Sequence, residues 1–404
     1  MRQEFVQGKP LFTAIHPVPI QYPYLTENQE VEVAIIGGGV TGSIIAYYFS
    51  KNNIKTALLE KTRIAHGSTS ITTSLLQYEL DSNIKELTAY TTKENVLASY
   101  KLGIEALASL DDFVQTYGNK CNYQKRDALL YTSQMSDYST LKEEYQLRKE
   151  AGFPVDFIEE VSNTFAFDIK AGVYSREGGA EFDPYLYTHH LLEVATEKGL
   201  SVYENTEVVN IVYTEKGVEV QTTFDHCVKA KIVILATGFD TACFSSRQFG
   251  KKTITYNIVT EPLQNEQGWP NHVLIRDNED PYHYLRTTKD NRIIIGGEDI
   301  DFTKENNQEY IANQQYDKLE KRLKELFPIT KDVGIEYKYC GVFDSTKDNL
   351  GFIGPDPEQQ QLWYGLGYGA NGILFALLAG RMLSQLYKGE TDPYLHLFQI
   401  DRFD

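Results

Sequence analysis

Gly37-x-Gly39-x-x-Gly42 follows a β-branched run, Val31 to Ile36, and leads into an apolar stretch, Ser43 to Lys51, that reads as a helix. In that setting Gly37 permits a tight turn. Gly39 lets backbone approach a pyrophosphate, and Gly42 lets helix and strand pack closely. Val40 and Thr41 open the helix, whose free N–H groups and partial positive charge favour phosphate. Thr56 to Glu60 reads as a second strand. It ends in an acid about 20 residues past the glycines, where a carboxylate accepts hydrogen bonds from a ribose; Lys61 follows it.

Three further stretches carry binding chemistry. Gly67-Ser68-Thr69-Ser70-Ile71-Thr72-Thr73-Ser74 concentrates hydroxyls beside a glycine, and hydroxyls and turn amides are uncharged donors to phosphate oxygens. Ile232 to Leu235 is a buried-strand pattern delivering the small-residue turn Ala236-Thr237-Gly238. Gly365-Leu366-Gly367-Tyr368-Gly369-Ala370-Asn371-Gly372-Ile373 places four glycines before an apolar helix, so backbone can lie against a planar or anionic ligand.

The elements that position these motifs begin with a right-handed βαβ unit from Val31 to Glu60. Residues 1–30 read as an extended arm. Asp81 to Tyr117, 137–151, Leu186 to Lys198 and 308–327 read as helices, the third closed by Gly199 and the last stopped by Pro328. Strands are expected at 201–203, 208–213, 217–222 and 228–235. Residues 251–300 alternate strands and turns, with Lys289-Asp290-Asn291-Arg292 as a hairpin tip. A βαβ unit at one end and a loop-helix at the other imply a split domain with a β-rich insertion.

At 404 residues the chain is long enough for two or three domains. Its net charge of −17 argues against a nucleic-acid partner. Cys121, Cys227, Cys243 and Cys340 form no C-x-x-C pair and no zinc-like cluster, so no metal and a reducing compartment are expected. No signal-peptide pattern and no stretch long and apolar enough to span a bilayer is evident, so a cytoplasmic location is the expectation.

Together these motifs resemble the FAD-dependent oxidoreductases of the D-amino-acid oxidase type, which include glycine, sarcosine and γ-glutamylputrescine oxidases. Glu60-Lys61 is similar to the family's acid-base pair, Gly67-Ser68-Thr69 to its phosphate loop, and Ala236-Thr237-Gly238 to its A-x-G turn. Gly369-x-x-Gly372-Ile373 is similar to the loop beneath the flavin ring. Tyr22-Pro23-x-Leu25, Thr260-Glu261-Pro262-Leu263, Tyr284-x-Arg286-x-Thr288-x-Asp290-x-Arg292 and Gly296-Gly297 look closest to the γ-glutamylputrescine oxidase branch.

The resemblance implies an α/β fold: a Rossmann-like FAD-binding domain of discontinuous segments (1–95, 183–243 and 339–404) and an α+β substrate domain with a mostly antiparallel sheet (96–182 and 244–338). The implied FAD-binding set is Gly37, Gly39, Val40, Thr41, Gly42, Glu60, Lys61, Gly67, Ser68, Thr69, Thr72, Thr73, Ser74, Val209, Thr237, Gly238, Gly369, Asn371, Gly372 and Ile373. The implied partners are a small amine or amino acid and oxygen or another electron acceptor. The implied reaction is hydride transfer from a C–H next to an amine nitrogen to the flavin, giving an imine that water hydrolyses.

Departures from the pattern refine this. Phe343 stands where many members carry an Arg that clamps a substrate carboxylate, and a Phe cannot make that bidentate pair. Arg286 is one replacement. Ile293-Ile294-Ile295-Gly296 lacks the oxygen-activating Lys of sarcosine-oxidase-like members. Gly341, not Cys340, falls at the position through which some sarcosine oxidases tether flavin, so FAD is expected to be non-covalent. Tyr256, Tyr284, Tyr339 and Tyr368 are candidates for the substrate face, and no catalytic acid or base stands out. The competing readings are a flavoprotein for electron transfer or structure, and a nicotinamide-dependent dehydrogenase; the additional loops disfavour the latter.

Overall fold

The structure, a computed structural model, describes residues 6–264, 268–369 and 371–403. Ala370 of the C-terminal glycine loop lies outside the described residues, as do residues 1–5 of the arm.

A six-stranded sheet has the order Phe352–Pro355, Leu362–Leu366, Ile232–Leu235, Val33–Ile36, Thr56–Leu59, Ser201–Tyr203. Five strands run parallel and Phe352–Pro355 runs against them. The central strands are apolar throughout because both faces are covered. Val33 and Ile35 pack among the helices Val40–Lys51 and Gly372–Tyr387. Ala34 and Ile36 pack against a four-stranded sheet of Val208–Thr214, Gly217–Thr222, Cys227–Ala230 and Gln29–Glu30.

The second large sheet has ten strands, in the order Val6–Gly8, Ile335–Ser345, Lys251–Thr260, Ile293–Asp301, Tyr284–Thr287, Leu274–Asp277, Gln124–Thr132, Ala171–Glu181, Leu75–Gln77, with Val155–Ile158 branching onto Ala171–Glu181. Every pairing is antiparallel except Leu274–Asp277 with Gln124–Thr132. The amphipathic helix Glu309–Leu326 covers one face, burying Tyr316, Leu319 and Leu323 with Tyr256 and Ile258. The fold is mixed α/β, as expected.

Several local expectations shift. The arm is not free, since Val6–Gly8 adds an edge strand to Ile335–Ser345 and Leu11–Ile15 forms a short buried helix. The helix expected over Asp81 to Tyr117 is two helices, Ile84–Leu87 and Lys93–Tyr117, because Thr92 caps the second through the Asn95 N–H at 3.2 Å. The strand expected at 228–235 is two strands in different sheets, Cys227–Ala230 and Ile232–Leu235. The strands Gln124–Thr132 and Ala171–Glu181 escape sequence reading. Of the segments expected to bind dinucleotide, 1–95 and 339–404 also feed the larger sheet, through Val6–Gly8, Leu75–Gln77 and the end of Ile335–Ser345.

Candidate functional site

One cavity of about 830 Å³ lies between the carboxyl ends of the parallel strands and one face of the larger sheet. Open parallel sheets place ligands at those strand ends.

Its first end is built by the βαβ unit. Gly37 has φ +114, and a Cβ there would sit 2.4 Å from the Ala236 carbonyl oxygen, so the turn demands glycine. A Cβ at Gly42 would fall 1.9 Å from the Gly37 carbonyl oxygen; Gly42 packs helix on strand and does not line the cavity. Gly39 caps the helix Val40–Lys51, lines the cavity, and would bring a Cβ no nearer than 3.2 Å to the Thr69 hydroxyl. The Glu60 carboxylate is held by backbone. Oε2 accepts from the Gly38 N–H at 2.8 Å and Oε1 from the Thr62 N–H at 2.8 Å. Lys61 pairs with Asp240 across the mouth.

The hydroxyl-rich segment forms the middle. Ser68–Ile71 is one helical turn, and the Thr69 hydroxyl accepts from the Val40 N–H at 2.9 Å, leaving its own proton to donate. Gly67, Ser68, Thr72 and Thr73 line the cavity, but Ser74 does not. Its hydroxyl is buried without a partner among the described residues, and its φ is +54, so the chain turns inward there to start the strand Leu75–Gln77. Val209 is also misplaced: it is 57% exposed, and its neighbour Val208 lines the cavity, because successive side chains of a strand face opposite ways. Thr237 and Gly238 line the wall opposite, where the Tyr368 hydroxyl donates to the Gly238 carbonyl at 2.9 Å. Gly369 (φ +74), Asn371, Gly372 and Ile373 bring the helix Gly372–Tyr387 to the cavity. Asn371 is fixed from behind by Nδ2 donating to the Glu79 carbonyl at 2.5 Å.

The far end belongs to the larger sheet, and it changes the residue list most. Arg286 is not there. It is 3% exposed, its Nε donates to the Thr73 carbonyl and its Nη2 to the Phe182 carbonyl, and Glu181 lies 3.6 Å away. The arginine that lines this end of the cavity is Arg276, the cross-strand partner of Tyr284. Arg286 shares the face of Tyr284 but lies one residue pair further along the strand, beneath Thr73 and Phe182. Phe343, Tyr284 and Tyr368 line the cavity. Tyr256 faces the helix Glu309–Leu326 on the other side, and Tyr339 is buried outside the lining.

Sequence reading missed Asp81, Thr255, Tyr282, Arg276 and Asp299 here, and Arg63 at the other end. Asp299 lies at a register shift. Ile254 pairs with Ile300 but Tyr256 with Gly297, so Glu298 and Asp299 together oppose Thr255. Glu298 has φ +54 in this bulge, and bulges re-aim side chains. Desolvation, with Asp81 and Glu298 nearby, pushes the Asp299 carboxyl up to about 7 against the pull of Thr255 and His283. The signal present in sequence was Gly296-Gly297 before two acids, a pattern compatible with a bulge.

Asp277, Glu279 and His283 come close enough to suggest a cation site. Arg322 already bonds both carboxylates, at 3.1 and 2.7 Å, and His283 bonds Asp277 at 2.8 Å, so a guanidinium meets the charge. No helix among the described residues is long and apolar enough to cross a membrane.

Comparison with known proteins gives a consistent picture. Residues 32–386 match a family model described as DAO, FAD dependent oxidoreductase. A putative Rieske 2Fe-2S iron-sulfur protein of Bacillus subtilis is 23% identical over 388 residues, covering 95% of this chain and 73% of that protein. The γ-glutamylputrescine oxidoreductase of Escherichia coli is 23% identical over 388 residues, covering 92% of this chain and 87% of its own. The crystal structure of glycine oxidase from Geobacillus kaustophilus superposes with a TM-score of 0.79 at 19% identity, over 91% of this chain and 96% of that one.

Proposed function

The chain belongs to the family of FAD-dependent oxidoreductases, and on that premise we propose that it oxidises the C–N bond of an amine or amino acid, with FAD held non-covalently. A single observation carries the reading: one cavity joins a dinucleotide cradle to a polar, substrate-sized end carrying Arg276, Asp81 and Asp299.

The residues present fit FAD. Gly39 leaves open space where a pyrophosphate passes, the carboxylate of Glu60 is oriented by two amides toward a ribose, and the hydroxyl of Thr69 has a proton to give a phosphate oxygen. The backbone of Gly369, Asn371, Gly372 and Ile373 and the helix start behind it would flank the ring and stabilise developing negative charge. When bound, FAD supplies the two-electron acceptor for the hydride that leaves the carbon next to nitrogen. The substrate becomes an imine, which water hydrolyses to a carbonyl compound and an amine. The larger sheet, including Tyr284 and Phe343, orients the substrate and walls off solvent.

The test is anaerobic mixing of the yellow protein with a panel of alkylamines, N-methyl amino acids and D-amino acids. Loss of visible flavin absorbance with at least one of them is expected; no bleaching across the panel refutes the reading. Acid precipitation should leave the colour in the supernatant, and a yellow pellet refutes non-covalent binding.

A further inference from the structure

We propose, building on the amine-oxidation reading above, that Asp299 is the catalytic proton acceptor of the substrate pocket and that the substrate class is cationic amines. The step balances as a proton transfer. The N–H bond of a bound alkylammonium breaks, an O–H bond forms on a carboxylate oxygen of Asp299, and the nitrogen keeps the electron pair. The neutral amine left behind is the species able to lose hydride from its neighbouring carbon.

Three features of the fold support this. The bulge opposite Thr255 is a local departure from the ladder, and Asp299, one of the two residues across from Thr255, stands in the cavity wall. Asp299 Oδ1 has no hydrogen-bond partner among the described residues and no arginine is set against it there, whereas the buried carboxylates Asp277 and Glu181 each have an arginine within 3.1 Å. Two hydroxyls stand in the same wall. Thr255, across the bulge from Asp299, favours the ionised carboxyl, and its hydroxyl is hydrogen-bonded to that of Tyr284 at 2.6 Å. Tyr284 also lines the cavity, so this hydroxyl pair shares the wall with Asp299.

The groups facing Asp299 set its working range. Asp81 and Glu298 disfavour its ionised form. His283, bonded to Asp277 and Glu298, favours it, as does the Thr255 hydroxyl, and Lys318 neutralises part of Glu298 from the helix Glu309–Leu326. Arg276 and Tyr282 complete the wall, with the Arg276 Nη1 occupied by the Leu80 and Asp81 carbonyls and its Nε buried and unpartnered. A carboxyl ionising near neutrality is matched to accepting a proton at physiological pH.

The experiment measures kcat/KM against pH for flavin-loaded wild type, Asp299→Asn and Asp81→Asn, using whichever of n-butylamine, 1,4-diaminobutane, benzylamine or N-methylglycine bleaches the wild type. Infrared spectra of the same proteins are recorded across the pH range. Wild type should lose activity on the acid side of about pH 7. Asp299→Asn should fall about 100-fold at pH 7.5 and recover toward high pH, where the amine deprotonates in solution. Asp81→Asn, which removes a neighbouring negative charge, should move the acid limb to lower pH. A protonated-carboxyl band that titrates away near neutrality should be present in wild type and missing from Asp299→Asn. Bleaching with an unshifted profile in Asp299→Asn, or a carboxyl band that survives that substitution, overturns the assignment alone. Failure of every amine to bleach wild type overturns the amine-oxidation reading, and this assignment with it.

Discussion

Gly39 and Gly42 belong to one motif, yet the structure assigns them different physical duties, and two substitutions separate them. In Gly42→Ala the new Cβ would lie 1.9 Å from the Gly37 carbonyl oxygen, whereas ordinary contact begins near 3.4 Å. Backbone must therefore move by more than an ångström. Overpacking costs roughly 1–3 kcal/mol and rises with such backbone clashes, against a helix-propensity gain of at most about 1 kcal/mol. The net destabilisation should be about 2 kcal/mol. Gly39 has φ −74 and ψ −178, which any residue adopts, and its Cβ would meet only the Thr69 hydroxyl at 3.2 Å. Gly39→Val should cost the flavin-free fold no more than about 1 kcal/mol, as helix-cap substitutions do, while its side chain fills the space the pyrophosphate needs. A binding loss of about 3 kcal/mol weakens FAD by roughly 100-fold. With an unfolding entropy of about 2.1 cal/mol/K per residue, 1 kcal/mol shifts the melting temperature by only about 1 °C in a chain of this length. Thermal scans of flavin-free protein should therefore show Gly42→Ala lowered by about 2–3 °C and Gly39→Val by no more than about 1 °C. Titration of FAD fluorescence should show the affinity loss in Gly39→Val. Wild-type FAD affinity in Gly39→Val, or equal thermal losses in the two variants, refutes this division of labour.

His189 is buried, neither ring nitrogen has a partner among the described residues, and burial pushes its pKa down to about 4. The unfolded chain takes up a proton below about pH 6.5 that the folded state refuses, so stability should decline as pH falls from about 6.5 to 4. His189→Leu should flatten that decline in urea titrations at pH 7 and pH 4.5, and an unchanged pH dependence would count against the burial argument. Arg286→Ala should act on the fold rather than on substrate, because it takes a buried cation from beside Glu181, leaving Arg126 as that carboxylate's cation, and leaves two buried backbone carbonyls without their donor. A loss of about 3–5 kcal/mol in urea unfolding is expected; a variant that keeps stability but loses amino-acid turnover would restore the clamp role. Gly369→Leu should slow flavin reduction, since φ +74 and the Asn349 carbonyl at 3.3 Å leave a side chain no relaxed position; an unaltered rate argues against a role for the loop. Phe343 offers only apolar surface where a carboxylate clamp stands in relatives, so glycine and D-alanine should reduce the flavin more slowly than longer amines. Equal rates, lost in Arg276→Ala, would make Arg276 the clamp.

The first end of the cavity was legible in sequence because its information is local. A strand, a turn, a helix start and an acid follow one another within thirty residues, and Gly42 meets Gly37 inside the motif itself, although Gly37 also meets the distant Ala236 turn. Continuous apolar runs at Val33–Ile36 and Ile232–Leu235 likewise announce strands covered on both faces, whatever covers them. The far end was hidden because strand pairing decides it. Arg276 and Arg286 are equally plausible as a string of letters. One residue pair of displacement along a strand puts Arg276 across from Tyr284 in the cavity and Arg286 beneath the Thr73 carbonyl. Val208 and Val209 exchange inside for outside by the same alternation. Asp299 reaches the cavity across from Thr255, forty-four residues away in the chain, beside a bulge where Glu298 takes a positive φ. The sequence alone thus determined the βαβ part of the nucleotide cradle, whose elements follow one another along the chain. Tertiary structure decided the substrate end, since register between distant strands has no local cause to read.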